Sequence, residues 1–91
     1  MKIKIIKLNG RYKLYKEYQC SHAIRFNSWN AEAGKIEAFF RNQYGSEYSF
    51  NNRHVMWKTH WGKAQGHNPR PYFIGVRDEE MIFMAKLAGV V

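Results

Sequence analysis

Disulfide cross-links are out of reach for this chain, because Cys20 is its one cysteine. A secreted protein of 91 residues would normally need them to supplement a small core, so their absence points to a reducing, cytoplasmic setting. Long apolar runs are missing as well. The longest, "MIFMA" at 81–85, falls far short of the roughly 20 residues that span a bilayer. The opening "MKIKIIKLNG" alternates Lys with Ile and lacks the continuous apolar stretch of a signal peptide. A soluble protein is therefore expected. Acid is scarce: seven Asp and Glu stand against fifteen Lys and Arg, a net charge of +8. Three of the seven sit together at Asp78-Glu79-Glu80, and none adjoins a Ser, Cys or His in a recognisable motif. A two-metal nuclease needs several convergent carboxylates, so that class is excluded, and no glycine-rich phosphate loop is present.

Metal ligands are equally thin. Cys20, His22, His54, His60 and His67 are the candidates, and Cys20-x-His22 is the one close pair. Zinc sites in a single chain generally combine two such pairs. Neither a metal nor another cofactor is expected.

What the chain does have is enough apolar and aromatic surface for a folded domain, 45% and 16% of residues, so a single domain over 1–91 is expected rather than disorder. Asn9-Gly10 between two alternating runs predicts a β-hairpin over "IKIIKLNGRYKLYKEY", since both central residues of a type I′ turn take positive φ. That pairing puts Lys2, Lys4, Arg11 and Lys13 beside Tyr15 on an outward face. It leaves Ile3, Ile5, Tyr12, Leu14 and Tyr18 facing a core, with "HAIRF" at 22–26 continuing the second strand.

"NSWNAEAGKIEAFFRNQYG" predicts a helix capped by Ser28 or Asn30 and ended by Gly45, with Gly34 marking close packing against the sheet. Residues 46–53 read as a connection. "HVMWKTHW" alternates as a strand, with Trp57 and Trp61 on its apolar side, and "YFIGV" at 72–76 is a strand apolar on both sides. For 78–88, an Asp cap, two early Glu and Gly89 past the end favour a helix over a strand. The order is β-β-α-β-β-α: an α+β fold with an antiparallel sheet and two helices on one face.

Residues 1–25 carry a net +6, whereas the last fourteen carry −2. Such asymmetry favours an anionic partner. Two cationic regions offer themselves. One is the hairpin face of Lys2, Lys4, Arg11, Lys13 and Tyr15, and the other is the region of Lys58, His60, Lys63, His67 and Arg70 around the irregular "HWGKAQGHNPRPYF". A basic surface of this kind suits an acidic protein partner, the leading expectation for a non-enzymatic binding protein. Nucleic acid is the alternative, with phosphates on the cations and bases on interleaved rings. A metal-independent ribonuclease is a second alternative, because His60, His67, Lys63, Arg70 and Tyr72 could supply a base, an acid and phosphate contacts. Self-pairing of an edge strand into a homodimer is left open.

The C-terminal "YFIGVRDEEMIFMAKLAG" resembles the endings of many small phage-encoded proteins, in which an aromatic strand meets an acidic step and a Phe-Lys-Leu-like close. The resemblance covers eighteen residues and departs at Met84-Ala85. It implies a virus-encoded accessory protein that binds a host protein or nucleic acid, and it assigns no catalytic residue.

Overall fold

"YFIGV", apolar on both sides, occupies an inner position of the sheet. The computed structural model describes residues 4–45, 56–63, 66 and 70–90. Its strands are β1 (Lys4–Lys7), β2 (His22–Phe26), β3 (Trp57–Trp61) and β4 (Tyr72–Val76), and its helices are α1 (Lys13–Tyr18), α2 (Ala31–Tyr44) and α3 (Glu79–Leu87). The four strands form one antiparallel sheet in the order β1-β2-β4-β3. The α+β class is as the sequence predicts, with one helix added between the first two strands.

That helix replaces the predicted tight hairpin. β1 does pair antiparallel with its successor, but in the register Lys4↔Arg25 to Lys7↔His22, so "HAIRF" is itself the partner strand. Neither Asn9 nor Gly10 has positive φ, so the type I′ turn is not formed. Instead the Asn9 side chain accepts the Arg11 N–H at 2.9 Å, and the Asn9 carbonyl accepts from Tyr12 at 3.0 Å. This local turn leads into α1. "KLYKEY" suits either period: Leu14 and Tyr18 alternate along a strand and also stack four apart on a helix. Tertiary packing decides between them, because the helix seats Leu14 in the smaller core with Leu8, Cys20 and Ala23.

Parity along the strands divides the side chains. On the first face lie Ile5, Ile24, Phe26, Trp57, Tyr72, Ile74 and Val76, which join Ile36 and Phe40 of α2 and Met81, Ile82 and Ala85 of α3 in the main core. Trp57 is fully buried; its indole donates to the Gly45 carbonyl at 2.8 Å, and its ring lies 5.9 Å from Phe40. On the second face Leu8, Leu14, Cys20 and Ala23 form a smaller core, flanked by Ile6, Tyr12, Tyr18 and Phe73. Of the residues expected to share one core face, Ile3 lies outside the described residues and the others divide between two, with Ile5 on the first and Tyr12, Leu14 and Tyr18 on the second.

α1 reaches the second face because Gly75 carries no side chain. A Cβ there would lie 3.0 Å from both Leu14 Cδ1 and Cys20 Sγ. The cysteine thiol is fully buried in this contact, and burial pushes its pKa up to about 11 against a smaller opposing pull from Arg77. A buried thiol of this kind stays protonated and unreactive.

The helix ends follow the sequence closely. Asn30, rather than Ser28, caps α2 by accepting from the Ala33 N–H at 3.0 Å. Asp78 caps α3, settling 78–88 as helix. Gly34 departs from expectation: a Cβ there would meet the Trp29 ring at 3.2 Å, so the glycine makes room for that indole and not for the sheet. Trp29 in turn donates to Glu37 at 3.0 Å, and the other Glu37 oxygen accepts from the Tyr72 hydroxyl.

Gly75→Ala should force Leu14 and Cys20 apart and destabilise the fold by about 1–3 kcal/mol, the usual cost of overpacking. Gly10→Ala, where nothing lies within 4 Å of the new methyl, should change stability by less than about 0.5 kcal/mol. Urea midpoints of the two variants give the comparison, and equal midpoints would contradict the packing described.

Candidate anion-binding cleft

α1 is six residues long and shades only half of the second sheet face. The shaded row runs across the strands as Ile6, Ala23, Gly75 and Lys58. The next row on the same face, Lys4, Arg25, Phe73 and His60, lies beyond the helix. Between this second row and the start of α1 is a cavity of about 340 Å³. Arg11, Tyr12, Lys13 and Leu14 line it from the helix side, with His60 to Lys63, Arg70 and Phe73 opposite.

Backbone pairing shapes the far wall. Past Trp61↔Tyr72 the ladder continues, with the Gly62 N–H donating to the Pro71 carbonyl at 2.8 Å. A Cβ on Gly62 would lie 2.6 Å from Pro71 Cγ, so only glycine fits this approach. The Gly62 carbonyl then accepts from Arg70 Nε at 2.9 Å, while the guanidinium rests 5.6 Å from the Trp61 ring centre. Arg70 is thus fixed at the cleft from two sides, as a phosphate-reading arginine needs to be.

Among the described residues four cationic side chains line the cavity, Arg11, Lys13, Lys63 and Arg70, and none of its lining is acidic. His60 registers the resulting field. Burial lowers its pKa below the ordinary histidine value, Lys13 and Arg70 lower it further, and Glu17 opposes them more weakly. Glu17 itself is exposed and 3.5 Å from Lys13, a screened pair that leaves the positive potential largely intact. The imidazole is therefore neutral near pH 7, beside a ring contact of 6.2 Å to Phe73.

Of the ten residues singled out in the sequence, the cleft gathers Arg11, Lys13, His60, Lys63 and Arg70 from both cationic regions. Lys4 sits outside it on the open row. Lys58 is turned under α1, 5.3 Å from the Tyr18 ring centre, where it helps to hold the helix. Tyr15 is exposed on α1 and does not line the cleft. Lys2 and His67 lie outside the described residues, as do 46–53 and the first two positions of the strand predicted from His54. The shared outward side of a two-stranded ribbon does not exist, since Arg11 and Lys13 belong to a turn and a helix. Tyr72, a candidate for ribonuclease chemistry, is on the opposite face and bonded to Glu37.

Arg25 and Phe73 are the residues sequence reasoning passed over. The alternation of "HAIRF" does set Arg25 opposite Ile24 and Phe26, a usable signal. Phe73 is hidden in a strand that is apolar on both sides. Elsewhere, Cys20 and His22 separate onto opposite faces: Cys20 sits against Gly75, while His22 approaches Glu79 at 3.8 Å and takes a contact of 2.9 Å from Ser21 Oγ. Among the described residues no three His, Cys, Asp or Glu converge as a metal site, and no helix is long and apolar enough to cross a membrane.

Set against protein-family models, curated proteins and solved structures, the chain matches none.

Filling the cleft with an anion cancels the field of Lys13 and Arg70 and should raise the His60 pKa. Anion affinity should accordingly increase as pH falls through the histidine range. Titration of the His60 imidazole resonances with and without pyrophosphate measures this directly. The groups facing His60 are Lys13 and Glu17 of α1 and Arg70 before β4. An unchanged midpoint would show that the cleft holds no anion.

Proposed function

We propose that the protein binds single-stranded nucleic acid along the uncovered row of its sheet, without catalysis. The observation that carries this reading is the row itself: Lys4, Arg25, Phe73 and His60, one from each strand, leading into the cation-lined cavity. Strands spaced by about 4.8 Å make this a track of roughly 14 Å. Lysine and arginine on such a track neutralise phosphates, and an aromatic face among them accepts a base for about 1–3 kcal/mol. The half-buried Phe73 is held in place by the smaller core and needs little ordering on binding.

An acidic protein partner is the other reading, and from the sequence alone it comes first. Geometry favours nucleic acid because the cations surround a concave site floored by rings instead of spreading over a flat exposed ribbon. An acidic protein would meet the same charges, but would gain less from Phe73 and from a cavity too small for a folded surface. The single, deeply buried Cys20 is compatible with a cytoplasmic location for either partner.

Affinity for a mixed-sequence single strand, followed by anisotropy from low to physiological salt, should fall with a log–log slope of about −3, four or five phosphate contacts at about −0.7 each. Lys4→Ala and Arg25→Ala should each reduce that slope by about 0.7. Phe73→Leu keeps an apolar side chain at the site but removes the ring, and should weaken binding by about 1–3 kcal/mol at constant slope. A slope near zero rejects the reading. Polyglutamate binding as tightly as the strand, with Phe73→Leu unaffected, would transfer the site to an acidic protein.

A further inference from the structure

Cations are unevenly distributed along the proposed track. Lys4 and Arg25 stand one to a strand, a density that suits phosphodiesters with a single charge each. At the β3 edge the pattern changes: Arg11, Lys13, Lys63 and Arg70 converge with His60 on one cavity of about 340 Å³. That volume is at the small end for a ligand pocket. It has room for the end of a chain, and its charge exceeds what one passing diester would neutralise.

The surroundings support a fixed rather than a diffuse site. Arg70 is oriented by the Gly62 carbonyl and the Trp61 face. The Gly62–Pro71 backbone pair closes one side, where the Pro71 and Phe73 rings leave no room for a side chain on Gly62. The cavity also lies at one end of the row, where the sheet itself stops at β3.

Resting on the nucleic-acid reading, we propose that the cleft seats a terminal phosphate monoester, so that the protein prefers phosphorylated strand ends to hydroxyl ends. A monoester carries up to two negative charges near neutral pH, where an internal diester carries one. It also presents three oxygens to donors arriving from several directions, here Arg11 and Lys13 from the α1 side and Lys63 and Arg70 from the β3–β4 side. The next nucleotides then run over Phe73 toward Arg25 and Lys4. A 5′ and a 3′ phosphate share this chemistry, and the strand's direction along the row distinguishes them.

Calorimetric titration with three unlabelled oligonucleotides of one sequence tests the proposal: 5′-phosphorylated, 3′-phosphorylated and hydroxyl at both ends. One phosphorylated form should bind at least about tenfold more tightly than the hydroxyl form, and its identity gives the polarity. Arg70→Ala should reduce that ratio to below about threefold, and the exposed Lys63→Ala provides a second variant should the first be poorly folded. Lys4→Ala, on the track but outside the cleft, should weaken all three strands and preserve the ratio. Measurable but equal affinities for the three strands would overturn the end preference and leave the nucleic-acid reading standing. Binding of none at low salt would overturn both.

Discussion

The contact of Leu14 and Cys20 with Gly75 is the constraint on which the candidate binding surface depends. A helix of six residues has little stability of its own. It persists because its one fully buried side chain enters the gap left by a glycine in an inner strand, with the thiol filling the rest. Once docked there, α1 covers the Gly75 row and cannot also cover the Phe73 row. The half-exposed face, the cavity at its border and the arrival of Arg11 and Lys13 at that border all follow from this seat. The main core on the other face, by contrast, is a conventional joint between sheet and helices, with Trp57 and Phe40 at its centre.

Charge placement is a second consequence. Residues distant in the chain, at 11–13, 60–63 and 70, reach one cavity because α1 folds over the strand pair β3–β4, at whose connecting end the last two groups lie. The acidic cluster at 78–80 caps α3, which packs on the opposite face. The separation of charge along the sequence thus becomes a separation across the sheet. His60 lies within the basic half and responds to it, its pKa held below the ordinary histidine value by burial and by the charges of Lys13 and Arg70.

Much of the architecture was legible from local rules. Asn30 and Asp78 as caps, Gly45 as a helix end, the strand over 72–76 and the helix over 78–88 all follow from backbone chemistry acting within a few residues. The first eighteen residues were not, because Asn9-Gly10 admits more than one turn and "KLYKEY" satisfies both periods. What settled them was Gly75, some sixty positions away, and no local pattern announces that a glycine is the floor for a distant leucine. Gly34 shows the same limit on a smaller scale, since its partner, the Trp29 ring, becomes apparent only once the chain has turned. The candidate residues were readable as a set, but their grouping was not: Lys58 and Tyr15 leave it, while Phe73 joins the cleft and Arg25 the open row beside it. Grouping depends on register and on which face α1 chooses.

The most direct measurement is the amide chemical-shift response of labelled protein titrated with a phosphorylated single strand. If α1 over Gly75 creates the binding surface, amides at 11–14, 60–63, 70 and 73 should move together along one saturation curve, joined by Arg25 and Lys4. Shifts confined to the exposed side of α3 around Phe83 and Leu87, or distributed without relation to the cleft, would contradict the account.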